Sequence, residues 1–238
     1  YFSDFKFFAF PGIDIGYQVL GNLRVYGNLG YTYRVPTFTD MNYKSPTTIG
    51  NPELEPEKAF SQEIGLKWNT AGFNASVAVF NRDSNRLIDY VKMQNTDPWQ
   101  PQNIQDVTTK GFETQLDYTF PINSFNQKLQ LGYSFIEDHV KQSSYNFSQY
   151  SVNSMKHQVV GSYYMQFLKN FTNSILYRYS ERTNGDSYSV VDLGAAYTLK
   201  AFEFSLFANN IFNAEYTETN LVPMPKGNLL FGIRYNFR

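Results

Sequence analysis

The seven residues FGIRYNF at positions 231–237 alternate between apolar and polar side chains. Successive side chains of a β-strand point to opposite faces, so this pattern predicts a strand with one apolar and one polar face. The same alternation recurs at 112–120, 128–135, 191–200 and 202–206. Because the pattern is repeated so often, the chain is predicted to form one large sheet whose two faces meet different surroundings.

About eleven such strands are predicted, and most are long enough for the roughly 9–11 tilted residues with which a strand crosses a bilayer. They begin near Phe10, Leu23, Gln62, Phe73, Thr109, Lys128, His157, Phe171, Ser189, Phe202 and Leu229.

The connections between these strands alternate in length. Short turns are predicted at 21–22, 70–72, 123–124, 169–170 and 200–201, and long polar stretches at 36–59, 91–108, 137–156, 180–187 and 214–228. Short periplasmic turns and long extracellular loops are typical of bacterial outer-membrane barrels. A soluble β-sandwich also alternates in polarity, but it does not predict this order of loop lengths. The predicted fold is therefore all-β, a transmembrane antiparallel up-and-down β-barrel.

The composition agrees with a barrel in a membrane. The chain has 22 Phe, 19 Tyr and only 2 Trp, yet its mean hydropathy is −0.42. A membrane barrel combines lipid-facing apolar residues, aromatic girdles and a polar interior, so its average hydropathy stays low. The net charge of −1 argues against a nucleic-acid partner. The absence of cysteine excludes disulfides and thiolate metal sites.

The sequence shows no catalytic constellation. Its two histidines are His139, in a long polar stretch, and His157, at a strand start. There is no glycine-rich phosphate loop before a helix and no metal-ligand spacing. We therefore predict a protein that is not an enzyme and that has no cofactor and no metal site.

Two short segments carry a resemblance to a known family. YRVP at 33–36 and NPELEPE at 51–57 resemble the "FRAP" and "NPNL" boxes of TonB-dependent receptors. Further similar phrases follow in the order found in that family: FNRD at 80–83, LIDY at 87–90, KGFE at 110–113 and ANNIFNAEY at 208–216. The resemblance covers residues 1–238 as a single barrel domain.

The resemblance implies a barrel of about 22 strands with a plug domain in its lumen. Eleven strands would be the C-terminal half of that barrel, with the plug and the first strands absent from this chain. It also implies a multi-pass protein of the bacterial outer membrane, in contact with lipid. The whole receptor would import a scarce nutrient with energy delivered by TonB through the missing N-terminal part.

The nutrient is predicted from the same resemblance. Haem receptors of the family typically carry a histidine between the two boxes, and residues 37–50 contain none. The second box, with NRD at 81–83 and LIDY at 87–90, is most similar to the cobalamin (vitamin B12) transporters. Cobalamin is therefore the expected ligand, and a ferric siderophore or haem is the alternative. A passive porin or a structural outer-membrane barrel is a further alternative.

Aromatic and polar residues of the long loops are the expected ligand contacts, because rings offer large, rigid contact area at small entropic cost. The candidates are Tyr43, Trp99, Tyr145, Tyr150, Arg182, Tyr188, Tyr216 and Asn220.

The alternation also predicts which side chains face lipid and which face the lumen. The outward set is Phe204, Leu206, Leu131, Tyr133, Ile233 and Tyr235, and the lumenal set is Glu113, Gln115, Gln130, Arg234 and Asn236. An odd number of strands would place the two edge strands parallel to each other, whereas bacterial barrels close with antiparallel strands. We therefore expect further strands to precede this chain.

Overall fold

The computed structural model describes residues 9–104, 106–140, 145–149, 154–218 and 222–237. Its elements are β1 Gly12–Leu20, β2 Leu23–Arg34, α1 Phe38–Asn42, β3 Glu57–Thr70, β4 Phe73–Asn85, β5 Ile88–Lys92, β6 Gln100–Asn103, β7 Val107–Ile122, β8 Phe125–Val140, β9 Phe147–Ser148, β10 Met155–Leu168, β11 Phe171–Arg182, β12 Ser187–Leu199, β13 Phe202–Asn209 and β14 Asn228–Tyr235.

Eleven of the strands form a single antiparallel sheet in the order β1-β2-β3-β4-β7-β8-β10-β11-β12-β13-β14. We call this sheet the wall. It confirms the eleven predicted strands and the five short turns between them. Several turns contain residues with positive φ, including Asn123 at 54°, Asn170 at 65° and Lys200 at 56°. Tight hairpins of this hand need positive φ, which asparagine tolerates better than most residues.

The register gives the wall one continuous apolar face. Leu131 of β8 lies opposite Leu116 of β7 and Gly161 of β10, so one row of side chains crosses neighbouring strands on one side. At the last hairpin Arg234 pairs with Glu203, their charged atoms 3.3 Å apart. Directly beside them, the rings of Tyr235 and Phe202 lie 4.8 Å apart. Charged and aromatic side chains therefore alternate between the two faces at this edge, as the sequence predicts.

The wall is not closed within the described residues, because β1 and β14 occupy its two edges and do not pair with each other. No helix in the described part of the chain is long and apolar enough to cross a membrane.

The long connections have more structure than the sequence predicted. The first contains the short helix α1, and three strands from later connections form a second sheet in the order β6-β5-β9, which we call the loop sheet. The predicted loop at 137–156 is too long, because β8 continues to Val140, opposite Val107 of β7. Pairing with β7 continues the β8 ladder beyond residue 135, where the apolar alternation ends.

Candidate functional site

The loop sheet and α1 lie at the end of the wall that carries the long connections, where the predicted ligand contacts are concentrated. Backbone bonds join α1 and the strands to their surroundings: Asn51 N–H donates to Asp40 O at 2.9 Å and Ile49 N–H to Trp99 O at 2.9 Å. Val91, Ile104 and Val107 form a small buried hydrophobic cluster beneath the loop sheet. The loops are therefore packed on one another, although they lie outside the wall.

Helix α1 begins with a complete capping box. The Asp40 N–H donates to the Thr37 hydroxyl at 3.0 Å, and the Thr37 N–H donates to the Asp40 carboxylate at 2.9 Å. The hydroxyl of Tyr90, on β5, donates to the second Asp40 oxygen at 2.8 Å. One carboxylate thus starts the helix and ties it to the loop sheet.

The surroundings of Asp40 stabilise its charged form. Burial acts to raise the pKa of this carboxyl, but the hydrogen bonds from the Thr37 backbone, the Tyr90 hydroxyl and the Thr37 side chain, with the nearby Arg34 charge, outweigh it. The pKa of Asp40 therefore lies below its ordinary value of 3.8. Such a shift is expected of a carboxylate that accepts several hydrogen bonds.

A second carboxylate joins the wall to β5. Glu57, at the start of β3, accepts from Arg34 Nη2 at 2.8 Å and from the Ile88 N–H at 2.6 Å. The same Arg34 nitrogen donates to the Ile88 carbonyl at 3.3 Å. Glu57 is only 7% exposed, so these bonds form where water competes little for them.

Two asparagines make further connections between the first and second long loops. The Asn51 amide donates to the Pro101 carbonyl at 3.2 Å. The Asn103 amide donates to the carbonyls of Glu55 at 2.9 Å and Arg86 at 2.8 Å. Side chains that bond to the backbone of another loop fix its position more than contacts between side chains do.

An aromatic corner lies at the edge of the loop sheet. The Nζ of Lys92 lies 4.7 Å from the centre of the Trp99 ring and 5.4 Å from the Phe147 ring. The Trp99 N–H donates to Thr47 O at 2.9 Å, which fixes the backbone that carries the ring. Phe147 is 40% exposed. The corner therefore offers a solution-facing surface of rings and one cation.

A second group lies where β11 and β12 meet the last loop. The rings of Tyr188 and Tyr216 lie 4.5 Å apart. Arg182 donates to the carbonyl oxygen of Thr217 at 3.5 Å and also to that of Glu218. Arg178 lies between the carboxylates of Asp192, 3.2 Å away, and Glu218, 3.3 Å away.

The structure brings three of the predicted contacts together and separates others. Tyr188, Tyr216 and Arg182 share the second group, and Trp99 lies in the aromatic corner. Tyr43 is exposed at the end of α1, where its carbonyl accepts from Gly50 N–H at 2.6 Å.

Tyr145 occupies a different kind of position, since it packs against the buried hydrophobic cluster beneath the loop sheet. Tyr150 and Asn220 lie outside the described residues.

The sequence did not predict the roles of Arg34, Asp40, Glu57 and Lys92. Arg34 and Glu57 belong to the quoted boxes, but a box shows only that the residues occur in a familiar order. Their bonds to Ile88 depend on how two distant loops pack, for which the local sequence gives no signal.

The arrangement has the chemistry of a binding surface. Among the described residues no group of three or more His, Asp and Glu side chains is placed to hold a metal ion. The His157 Nδ1 lies 2.8 Å from the Tyr133 hydroxyl, and its ring lies 5.1 Å from that of Phe135. These contacts place His157 among the rings of the wall rather than beside a nucleophile.

The family described as "TonB dependent receptor-like, beta-barrel" matches residues 1–213. The chain belongs to this family. Proteins of this TonB-dependent receptor family are transport receptors rather than enzymes. The chain is accordingly a multi-pass β-barrel segment of the bacterial outer membrane, which confirms the predicted fold and location of this receptor barrel.

Comparison with individual proteins gives distant relatives. The vitamin B12 transporter BtuB of Vibrio vulnificus is 32% identical over 97 residues, which are 41% of this chain and 14% of that protein. The copper transporter OprC has 14% identity and a TM-score of 0.75, over 95% of this chain and 39% of its own. The siderophore receptor PirA of Acinetobacter baumannii has 14% identity and a TM-score of 0.73, over 96% of this chain and 41% of its own.

The receptor barrel described here therefore spans less than half of each of these three proteins. At 14% identity the two structures show the shared fold alone.

Proposed function

We propose that the intact receptor imports a large, scarce, metal-containing nutrient and that this nutrient is cobalamin. The loop sheet and the Tyr188–Tyr216 pair supply part of its extracellular binding surface. Energy for uptake comes from TonB, acting on a part of the receptor outside this chain. Single contacts proposed for the ligand are Tyr43, Trp99, Tyr188, Tyr216 and Arg182, with Tyr150 and Asn220 from the remaining loop segments.

The observation that carries this proposal is that several cations at the loop end of the wall are paired with carboxylates. Arg86, Arg178 and Lys226 each lie within ion-pair distance of a carboxylate. Their charge is therefore largely neutralised before any ligand arrives. A surface of rings, amides and paired charges suits a ligand whose periphery consists mainly of amides, as in cobalamin, better than a strongly anionic ferric chelate.

Two further facts support cobalamin. The segment between the two boxes, residues 37–50, has no histidine, whereas haem receptors of the family typically carry one there. The curated relative with 32% identity is named as a vitamin B12 transporter.

A ferric siderophore is the second candidate, and the aromatic corner favours it. Lys92 lies 4.7 Å from the Trp99 ring centre beside an exposed Phe147. A cation set among rings could hold an anionic aromatic chelate such as a ferric catecholate. PirA, which shares the fold, is named as a siderophore receptor.

Equilibrium binding to the purified intact receptor decides between these ligands. Cyanocobalamin, haem, a ferric catecholate and a ferric hydroxamate are titrated separately under the same conditions. We expect cyanocobalamin to bind most tightly. Tight binding of a ferric chelate or haem without affinity for cyanocobalamin would show that the proposed ligand is wrong, while the protein would still be a receptor. Binding of none of the four would favour a passive porin.

A further inference from the structure

The Arg34–Glu57 ion pair lies where β2 ends and β3 begins, and both of its partners reach the first residue of β5. The Glu57 carboxylate accepts from the Ile88 N–H at 2.6 Å, and Arg34 Nη2 donates to the Ile88 carbonyl at 3.3 Å. The two side chains, 2.8 Å apart, thus satisfy both backbone groups of one residue.

The neighbouring backbone bonds show on which edge of β5 Arg34 and Glu57 bind Ile88. Leu87 O accepts from the Ile104 N–H at 2.8 Å on the β6 side. In an antiparallel ladder the backbone groups of successive residues point to alternate sides, so those of Ile88 point toward the β9 side. On that side Tyr90 O accepts from the Gln149 N–H at 3.0 Å.

Strand β9 is only two residues long, Phe147–Ser148, and its register partners are Lys92 and Val91. Within the described residues it does not extend along β5 as far as Ile88. Arg34 and Glu57 therefore bind Ile88 as a residue of a neighbouring strand would. Glu57 supplies the acceptor for its N–H, and Arg34 supplies the donor for its carbonyl oxygen.

We propose that the Arg34–Glu57 pair is a positioning clamp that binds both backbone groups of Ile88 on the β9 side of β5 and fixes the loop sheet on the wall. The clamp also determines ligand affinity, because the loop sheet that it fixes supplies part of the proposed binding surface. This second statement rests on the proposed function, whereas the first does not.

The clamp joins the two boxes in this chain. Arg34 belongs to the first box and Glu57 to the second, and neither can hold both groups of Ile88 alone. Asn51, also in the second box, donates to Pro101 O on β6 at 3.2 Å. The boxes therefore position the next loop as well as shaping the loop between them.

A nearby ion pair provides a matched comparison. Arg86 and Glu55 also pair, but their side chains are 53% and 57% exposed, and exposed pairs contribute little. The Glu57 side chain is 9% exposed. Removing its carboxylate leaves a buried backbone N–H without an acceptor, which costs much more than removing an exposed charge.

The test uses the intact receptor in detergent or lipid vesicles with four variants: Glu57→Ala, Glu57→Gln, Arg34→Lys and, as the control, Glu55→Ala. Hydrogen exchange is measured for peptides covering Ile88–Lys92, together with the unfolding midpoint of the barrel and the affinity for cyanocobalamin. Glu57→Gln retains an acceptor oxygen, and Arg34→Lys retains a charge but not the planar group.

We expect Glu57→Ala to raise exchange over Ile88–Lys92 by at least about tenfold. Glu57→Gln and Arg34→Lys should give smaller increases, and Glu55→Ala should stay within about twofold of the wild type. The unfolding midpoint should not move, because the wall ladder is intact. Cyanocobalamin affinity should fall at least about fivefold in Glu57→Ala.

Equal exchange in Glu57→Ala and Glu55→Ala would overturn the clamp. Should the alanine variant fail to assemble, the glutamine and lysine variants decide on the same measurement. Raised exchange with unchanged cyanocobalamin affinity would overturn the second statement alone. If the wild type does not bind cyanocobalamin, the proposed ligand is wrong, and the exchange data still decide whether the clamp exists.

Discussion

The wall and the loop sheet are both antiparallel sheets, but different interactions hold them together. In the wall, β7 and β8 pair without interruption from Val107–Val140 to Ile122–Phe125. In the loop sheet, β5 and β9 share two register pairs among the described residues, and buried side chains such as Glu57 add bonds to β5. The wall is therefore stabilised mainly by its ladder, and the loop sheet by a few specific contacts.

This difference separates two properties of the receptor. Main-chain pairing tolerates changes of side chain as long as the lipid and lumenal faces keep their polarity, so the wall can stay constant while loops vary. The loop sheet depends on single residues, so one substitution can shift a binding surface without unfolding the barrel. Variants placed in one region should therefore leave the other unchanged.

The largest effect is expected from a charge on the lipid face of the wall. Leu131→Lys, near the middle of β8 and opposite Leu116, should lower the free energy of unfolding by about 2–4 kcal/mol, because the ammonium group would enter hydrocarbon. Urea unfolding of the intact receptor in lipid vesicles measures this cost.

The neighbouring lumenal residue provides the control. Gln130→Lys places the same charge beside Asp117, within reach of water, and should change the free energy of unfolding by less than about 1 kcal/mol. Similar losses in the two variants would contradict the assignment of faces.

A smaller and local effect is expected from the capping box of α1. Thr37→Ala removes the hydroxyl that accepts from the Asp40 N–H and should cost about 1 kcal/mol of helix stability. Hydrogen exchange over Phe38–Asn42 should rise about fivefold, while exchange in the wall stays constant. Thr39→Ala, at an exposed helical position, should cause no increase, and an equal increase there would show that the cap is not responsible.

The effect of pH on the loop layer should be small near neutrality and appear only in acid. The pKa of Asp40 is lowered in the folded loops, so its contribution to stability is fully present above the ordinary value of 3.8. That contribution is lost as the pH falls through the lower folded value.

The difference in fluorescence between the intact receptor and its Trp99→Phe variant should report this transition, because Trp99 is bonded to the loop that follows α1. The change should occur below about pH 4 and should be absent in Asp40→Asn. A transition at neutral pH, or the same transition in Asp40→Asn, would assign the effect to another group.

The sequence predicts the wall well and the loop sheet poorly, because only the wall leaves a periodic signal in the local sequence. Alternation along residues such as 231–237 is a local consequence of burying one face, so strands, turns and faces follow from it. The pairing of Val91 with Ser148 joins distant segments without any periodic signal. The packing of Tyr145 on the hydrophobic cluster likewise joins residues that are far apart in the sequence.

We propose that the loop sheet contributes to ligand recognition and that the wall provides the stability of the barrel. The most direct test measures cyanocobalamin binding and urea unfolding on one variant of the intact receptor, Trp99→Ala, whose ring lies in the aromatic corner. We predict a loss of binding free energy of about 1–2 kcal/mol with an unchanged unfolding midpoint. Unchanged affinity combined with a lower unfolding midpoint would contradict the claim.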